Sequence, residues 1–239
     1  MAGLAMTIRI AAVSDLHGHL SHSIPECDVL CIVGDIPPLY STAEDWKSYR
    51  ELEWVKTKFL RWLKRQPFKR CLVVWGNHDI FAMDPMTRGE AIAVIESIDG
   101  VSVIENEPVM VEGVLFAGYP YTPTIQKRNW AFSMPRGHRQ VGMSLDHIHP
   151  DTDVLLSHGP PLGFLDQCDN GNVGCAMLAK KVIEVAPRVV FCGHIHECRG
   201  QRASMWNALG KETRIINVSI CDRNYTPKGA KVQTYDFVR

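Results

Sequence analysis

Apolar and polar positions fall along this chain in two alternating rhythms. Short, nearly unbroken apolar runs occur at Thr7–Ser14, Asp28–Val33, Arg70–Trp75, Asp153–Ser157 and Arg188–Cys192. They are too short for stable helices and read as buried strands. Between about Thr42 and Gln66 the rhythm changes. Trp46, Leu52, Val55, Phe59, Leu60, Trp62 and Leu63 recur at helical spacing among Lys, Arg and Glu. Ser41 or Thr42 ahead of Glu44 and Asp45 predicts the N-cap, and Pro67 closes the helix. Thr87–Ser97 predicts a shorter helix, and a third is expected over about 173–186. Asp99-Gly100 is a turn, followed by β segments at 101–104, 108–111 and 114–119; two more are expected at 214–220 and 231–238.

Strands alternating with helices, then a run of short strands, predict an α/β fold with substantial sheet on both sides of the core. Two stretches have no period. Tyr119–Gly137 is rich in Pro, aromatics, Arg and Asn, and residues 162–172 form a second loop. Long loops inside a folded unit are often functional.

Composition narrows the classes. The 239 residues, read as a single domain over 1–239, are 46% hydrophobic and 22% charged, which predicts a folded chain with a sizeable core. The formal net charge is zero and the charges are interspersed. General nucleic-acid binding and attraction to an anionic membrane are therefore not expected. No stretch is long and apolar enough for a membrane span. The N-terminal apolar run lacks a basic region and is interrupted by Arg9, so it reads as the first core strand rather than a signal peptide. The eight cysteines form no C-x-x-C pair, and several fall inside strands. Reduced, buried thiols in a cytoplasmic protein are the expectation.

The chemistry sits where the strands stop. Their ends read Asp15-x-His17, Gly34-Asp35, Gly76-Asn77-His78-Asp79, Ser157-His158-Gly159 and Gly193-His194-x-His196. Any one of these is ordinary: a loop ion pair, a satisfied core histidine, a turn. Five strand ends all presenting Asp, Asn or His are not. Ligands in α/β folds gather at the carboxyl ends of strands, and five of the ten histidines lie in these motifs.

With these motifs in this order, from 15 to 196, the sequence resembles the calcineurin-like metallophosphoesterase superfamily. The surrounding stretches Ser157–Gly163, Pro135-Arg136-Gly137 and Gly193–Glu197 resemble its branch of metallophosphoesterase-domain-containing proteins. The resemblance implies a four-layer α/β/β/α sandwich, two mixed sheets flanked by helices. It implies two divalent metal ions: Asp15, His17 and His196 hold one, Asn77, His158 and His194 the other, and Asp35 bridges them. It places His78 over the substrate as a catalytic group, stabilising the phosphoryl group or protonating the leaving oxygen. One position departs from the pattern. Many relatives carry an acidic residue three places after the bridging aspartate, which in some members orients that histidine; here it is Pro38.

Elementary charge counting agrees with this assignment. Two divalent ions bring about four positive charges and Asp15 and Asp35 return two, leaving a surplus that attracts a phosphate ester. Such ions lower the pKa of bound water towards about 7, and a bridging hydroxide then attacks phosphorus in line. Mixed nitrogen and oxygen ligation suits Mn, Fe, Zn or Ni. The expected substrate is a small phosphate ester, a phosphodiester on branch resemblance, with a phosphomonoester or phosphoprotein as the alternative. Arg128, Asn129 and Arg136, with Trp130, are the candidates for holding it. A metallo-β-lactamase is a poor fit, because His194-Ile195-His196 continues into Glu-Cys-Arg. An amidohydrolase barrel is a poor fit by length. A non-enzymatic scaffold is the remaining competitor, and the intact ligand set argues against it.

Overall fold

The structure, a computed structural model, describes residues 6–39, 48–124 and 130–239. The first three apolar runs form β1 (Thr7–Val13), β2 (Cys27–Val33) and β3 (Phe68–Val74). Between β2 and β3 lies a helical rod made of α1 (Ser48–Trp54), a π-turn (Val55–Phe59) and α2 (Leu60–Leu63). The expected N-cap at Ser41 or Thr42, with Glu44, Asp45 and Trp46, lies outside the described residues. After β3 come α3 (Ile80–Met83), α4 (Arg88–Glu96), β4 (Val101–Val103), β5 (Val109–Val111) and β6 (Val114–Tyr119). The long loop that follows contains two short strands, β7 (Thr122–Pro123) and β8 (Ser133–Met134). Then come α5 (Arg139–Leu145), β9 (Val154–Ser157), the two-residue strands β10 (Gln167–Cys168) and β11 (Gly171–Asn172), and α6 (Ala176–Val185). The chain ends with β12 (Val189–Cys192), β13 (Arg202–Trp206), β14 (Glu212–Asn217) and β15 (Gln233–Val238).

Two large sheets result. One runs β15-β1-β2-β3-β4, parallel except at β15; the other runs β13-β14-β12-β9-β6-β5, parallel except at its two edges. Because side chains alternate along a strand, each central strand feeds two apolar layers. Val29, Cys31, Val33, Leu72 and Val74 of the first sheet meet Phe116, Val154, Leu156, Val189 and Phe191 of the second. Leu30, Ile32, Cys71 and Val73 face outward onto Leu52, Val55, Phe59, Ala91 and Ile95 of the helices. Leu155, Val190 and Cys192 face the opposite way, onto Val141, Leu145, Leu178 and Val182. Three apolar seams therefore separate four layers, helix, sheet, sheet, helix, as the resemblance implies.

The sheets also meet at their carboxyl ends. The Ser14 N–H donates to Val218 O at 2.9 Å, and the Ile220 N–H donates to Ser14 O at 2.8 Å. This stitch draws the ends of β1, β2 and β3 to within reach of the ends of β9, β12 and β14. All eight cysteines are free and seven are buried. Among the described residues no helix is long and apolar enough to cross a membrane.

Candidate metal centre

Asp15 and His17 follow β1, Asp35 follows β2, and Asn77 and His78 follow β3. His158 follows β9, and His194 and His196 follow β12. Apart from His78 and His194, which are partly buried, these side chains are buried. Four of the residues (Asp15, His17, Asp35 and His194) have positive φ. Non-glycine residues reach that region at a cost, and such strain collects at functional sites. Two glycines make the approach possible. A Cβ at Gly76 would run into the Asp35 carboxylate, and one at Gly193 into Ser14 and Asp15.

The side chains form two groups. Asp15, His17 and His196 each present one ligand atom within 4.8 Å of the others, and so do Asp35, His158 and His194. Asp35 stands between them. Its Oδ2 is 3.7 Å from Nε2 of His17, and its Oδ1 is 3.4 Å from Nε2 of His158. Nε2 of His17 and Nε2 of His196 are 3.4 Å apart. Asn77 joins the second group, its Oδ1 3.0 Å from Nε2 of His158.

The surroundings fix these orientations. Nδ1 of His158 donates to Val33 O at 2.8 Å, and Nδ1 of His196 donates to Asp222 O at 3.0 Å. In each ring Nε2 is left aimed at the carboxylates, the arrangement that outer partners impose on metal-ligating histidines. Asp15 is gripped from the second sheet. The His194 N–H donates to both its oxygens at 3.1 and 3.0 Å, and the Ser219 hydroxyl donates to Oδ2 at 2.8 Å. Asp79 ties two loops together, accepting from Asp35 N at 2.9 Å, Gly76 N at 2.6 Å and Ile36 N at 2.9 Å. Asp79, Ser219 and Asp222 received no role from the sequence. The first was readable only as the end of a tetrad, and the other two lie beyond the last motif.

Proton affinities follow from the packing. Burial pushes the Asp15 carboxyl up, but the charge and hydrogen bond of His196 prevail and hold it well below the usual range. Asp35 is likewise held low against its burial by His158 and His78. Burial draws His158 down, yet Asp35 lifts it to about 9; His196 is lifted by Asp15 in the same way. Burial takes His17 down to about 3, and burial with the charge of His158 does the same for His194. Two ionised carboxylates thus sit among four imidazoles, of which His17 and His194 are held neutral with a lone pair to give. Nε2 of His194 is buried without a hydrogen-bond partner. Such a mixed oxygen and nitrogen set fits borderline divalent cations.

His78 stands at the edge. Its N–H donates to Asp35 Oδ1 at 2.7 Å. Its ring lies 5.0 Å from that of His17 and 4.1 Å from that of Trp130. Pro38 packs against Gly18. Arg136 donates to Gly174 O and Val173 O, both at 2.7 Å, fastening the loop ahead of α6. Arg128 and Asn129 lie outside the described residues. A surface recess of about 990 Å³, lined by Asp153, Arg188 and Glu212 among others, lies at the amino ends of β9 and β12, away from both ligand groups.

Comparison with known proteins gives the same reading. Residues 8–198 match the family model for calcineurin-like phosphoesterases. The chain is 30% identical to the UPF0046 protein K07C11.7 of Caenorhabditis elegans, over 97% of this chain and 74% of that one. It is also 30% identical to human metallophosphoesterase domain-containing protein 1, over 92% and 68%. The solved structure of TT1561 from Thermus thermophilus shares the fold, with a TM-score of 0.55 at 15% identity over 97% of this chain and 99% of that one. This chain is a member of the calcineurin-like phosphoesterase family.

Proposed function

We propose that the protein hydrolyses small phosphate esters, phosphodiesters ahead of monoesters, using two divalent cations held at the seam between its sheets. Asp15, His17 and His196 would hold one cation and Asn77, His158 and His194 the other, with Asp35 shared. The observation that carries this reading is the Asp35 carboxylate, whose two oxygens face the two groups separately. When bound, such ions lower the pKa of water and polarise phosphoryl oxygens.

The protein supplies the rest. The neighbouring histidines hold the two carboxylates ionised, and backbone N–H groups with Ser219 keep them aimed inward. Burial keeps His17 and His194 neutral, with lone pairs to give. Burial also lowers the pKa of His78, which stands at the edge of the site with its ring against Trp130. From there it would stabilise the phosphoryl group or serve the leaving oxygen as a proton donor. Eight unpaired thiols suit a reducing compartment such as the cytoplasm.

The test is turnover of bis(p-nitrophenyl) phosphate and p-nitrophenyl phosphate by protein loaded with Mn²⁺. Diester turnover that stops on chelation and outpaces the monoester is expected. A faster monoester would favour the monoesterase reading. No turnover of either, with no metal retained, would establish a scaffold.

A further inference from the structure

Tyr225 is an aromatic residue without a core to pack in. Its side chain is large, it is 42% exposed, and it lies outside every apolar seam of the fold. Its φ is +57°, a conformation that a bulky residue adopts only where the surroundings enforce it. The surroundings are elaborate. The Asp222 carboxylate accepts from Asn224 N at 2.9 Å, Thr226 N at 3.0 Å and the Thr226 hydroxyl at 3.2 Å. Tyr225 N donates to Asp222 O at 2.7 Å. Arg199 closes the turn from outside, donating to Ile220 O and Thr226 O at 3.2 Å and to Lys228 O at 3.1 Å.

This turn sets the Tyr225 ring 4.7 Å from the ring of His196 and 5.1 Å from that of His17. Those are two of the three side chains of the first ligand group. His17 lies between Tyr225 on one side and His78 on the other, and His78 carries Trp130. The Tyr225 ring thus touches two ligand histidines, in a residue that is 42% exposed beside the site. A strained, tightly held and half-exposed aromatic ring beside a phosphate-ester site is a stacking surface for whatever group the phosphate carries.

We infer that Tyr225 is a specificity-determining contact: its exposed ring stacks on a flat aromatic group of the ester, aryl or nucleobase. The site thereby favours aromatic over simple alkyl phosphate esters. This inference rests on the proposed phosphate-ester site and adds to it the class of ester.

Phenylphosphonate and methylphosphonate resist hydrolysis and differ only in the flat ring, so they separate stacking from anion binding. Mn²⁺-loaded protein would be titrated calorimetrically with each, as wild type, Tyr225→Phe and Tyr225→Ala, with metal content measured on the same samples. Tyr225→Phe should bind both ligands as wild type does. Tyr225→Ala should lose about tenfold in affinity for phenylphosphonate. Its affinity for methylphosphonate and its metal content should not change. Equal losses for both ligands, loss of metal, or a Tyr225→Phe variant as weak as Tyr225→Ala would each overturn the inference, the first two by making Tyr225 a support for His196. Wild-type protein that binds neither phosphonate would remove the phosphate-ester site itself, and the inference with it.

Discussion

The two sheets bring unlike chemistry to the seam where they meet. The first contributes every acid, Asp15, Asp35 and the supporting Asp79, together with Asn77 and two histidines. The second contributes only imidazoles, His158, His194 and His196. Each half is then anchored to the other. The acid Asp15 is held by an amide and a hydroxyl from the second sheet, and His158 by a backbone carbonyl from the first. A buried carboxylate is costly to ionise and a buried imidazole costly to protonate. Facing one another, the halves lower both costs, and the carboxylates of the first sheet stay ionised only beside the histidines. The centre is a property of the interface, and its formation depends on the apolar seam that brings the sheets together.

The largest expected effect follows from removing the residue that both halves share. Asp35→Ala should lose both cations and reduce turnover to background, read by elemental analysis and phosphodiester kinetics. Removal of one imidazole from the second sheet should be less complete. His158→Ala should empty one position, retain the other ion and still abolish turnover. If both variants lost the same number of ions, the division into two groups would be wrong.

His78 sharpens the comparison, because it belongs to the first sheet without being a ligand in this scheme. His78→Ala should keep both ions and lose about 10²–10⁴-fold in rate, the range of a general acid. Near-normal activity would remove the role given to it. Asp79→Asn should be milder. One carboxylate oxygen accepts from Asp35 N and Gly76 N and the other from Ile36 N, and an amide can replace only one of them. Metal affinity should fall about 10- to 100-fold, the usual effect of an outer partner.

The smallest effect is on stability alone. Glu51 of α1 is buried and accepts from Phe81 N at 3.0 Å. Burial, opposed by that bond and reinforced by Asp79, raises its pKa from 4.5 to about 8. The folded state therefore keeps a proton that the unfolded chain gives up. The associated stability is full below about pH 4.5 and is lost as pH rises through about 8, at about 1.4 kcal/mol per pH unit within that window. Glu51→Gln should flatten that slope in denaturant titrations at pH 4 and pH 9 while metal content stays unchanged. An unaltered slope would show that Glu51 is already ionised in the fold.

Much of this was legible in the sequence, for a physical reason. Strands buried on both faces are continuous apolar runs, so polar residues just beyond one stand out, and each of the seven candidate ligands lies within four residues of a strand end. Elements with thin apolar patterns were not legible. Among the residues of α5, Val141 and Leu145 alone are buried, and Gly142, a poor helix former, falls in its middle. β13 lies at a sheet edge with Met205 as its one fully buried residue. The supports were hidden differently. Asp79, Ser219, Asp222 and Tyr225 act through single hydrogen-bonding groups and ring contacts, and the partners of Ser219 and Tyr225 are 204 and 208 residues away along the chain. Spacing in sequence carries no trace of such contacts.

The most direct test is anomalous diffraction from crystals of the protein grown with Mn²⁺. The account predicts two peaks about 3.5–4 Å apart, with the Asp35 carboxylate between them and Asp15, His17 and His196 around one and Asn77, His158 and His194 around the other. A single peak, or peaks away from this seam, would contradict it.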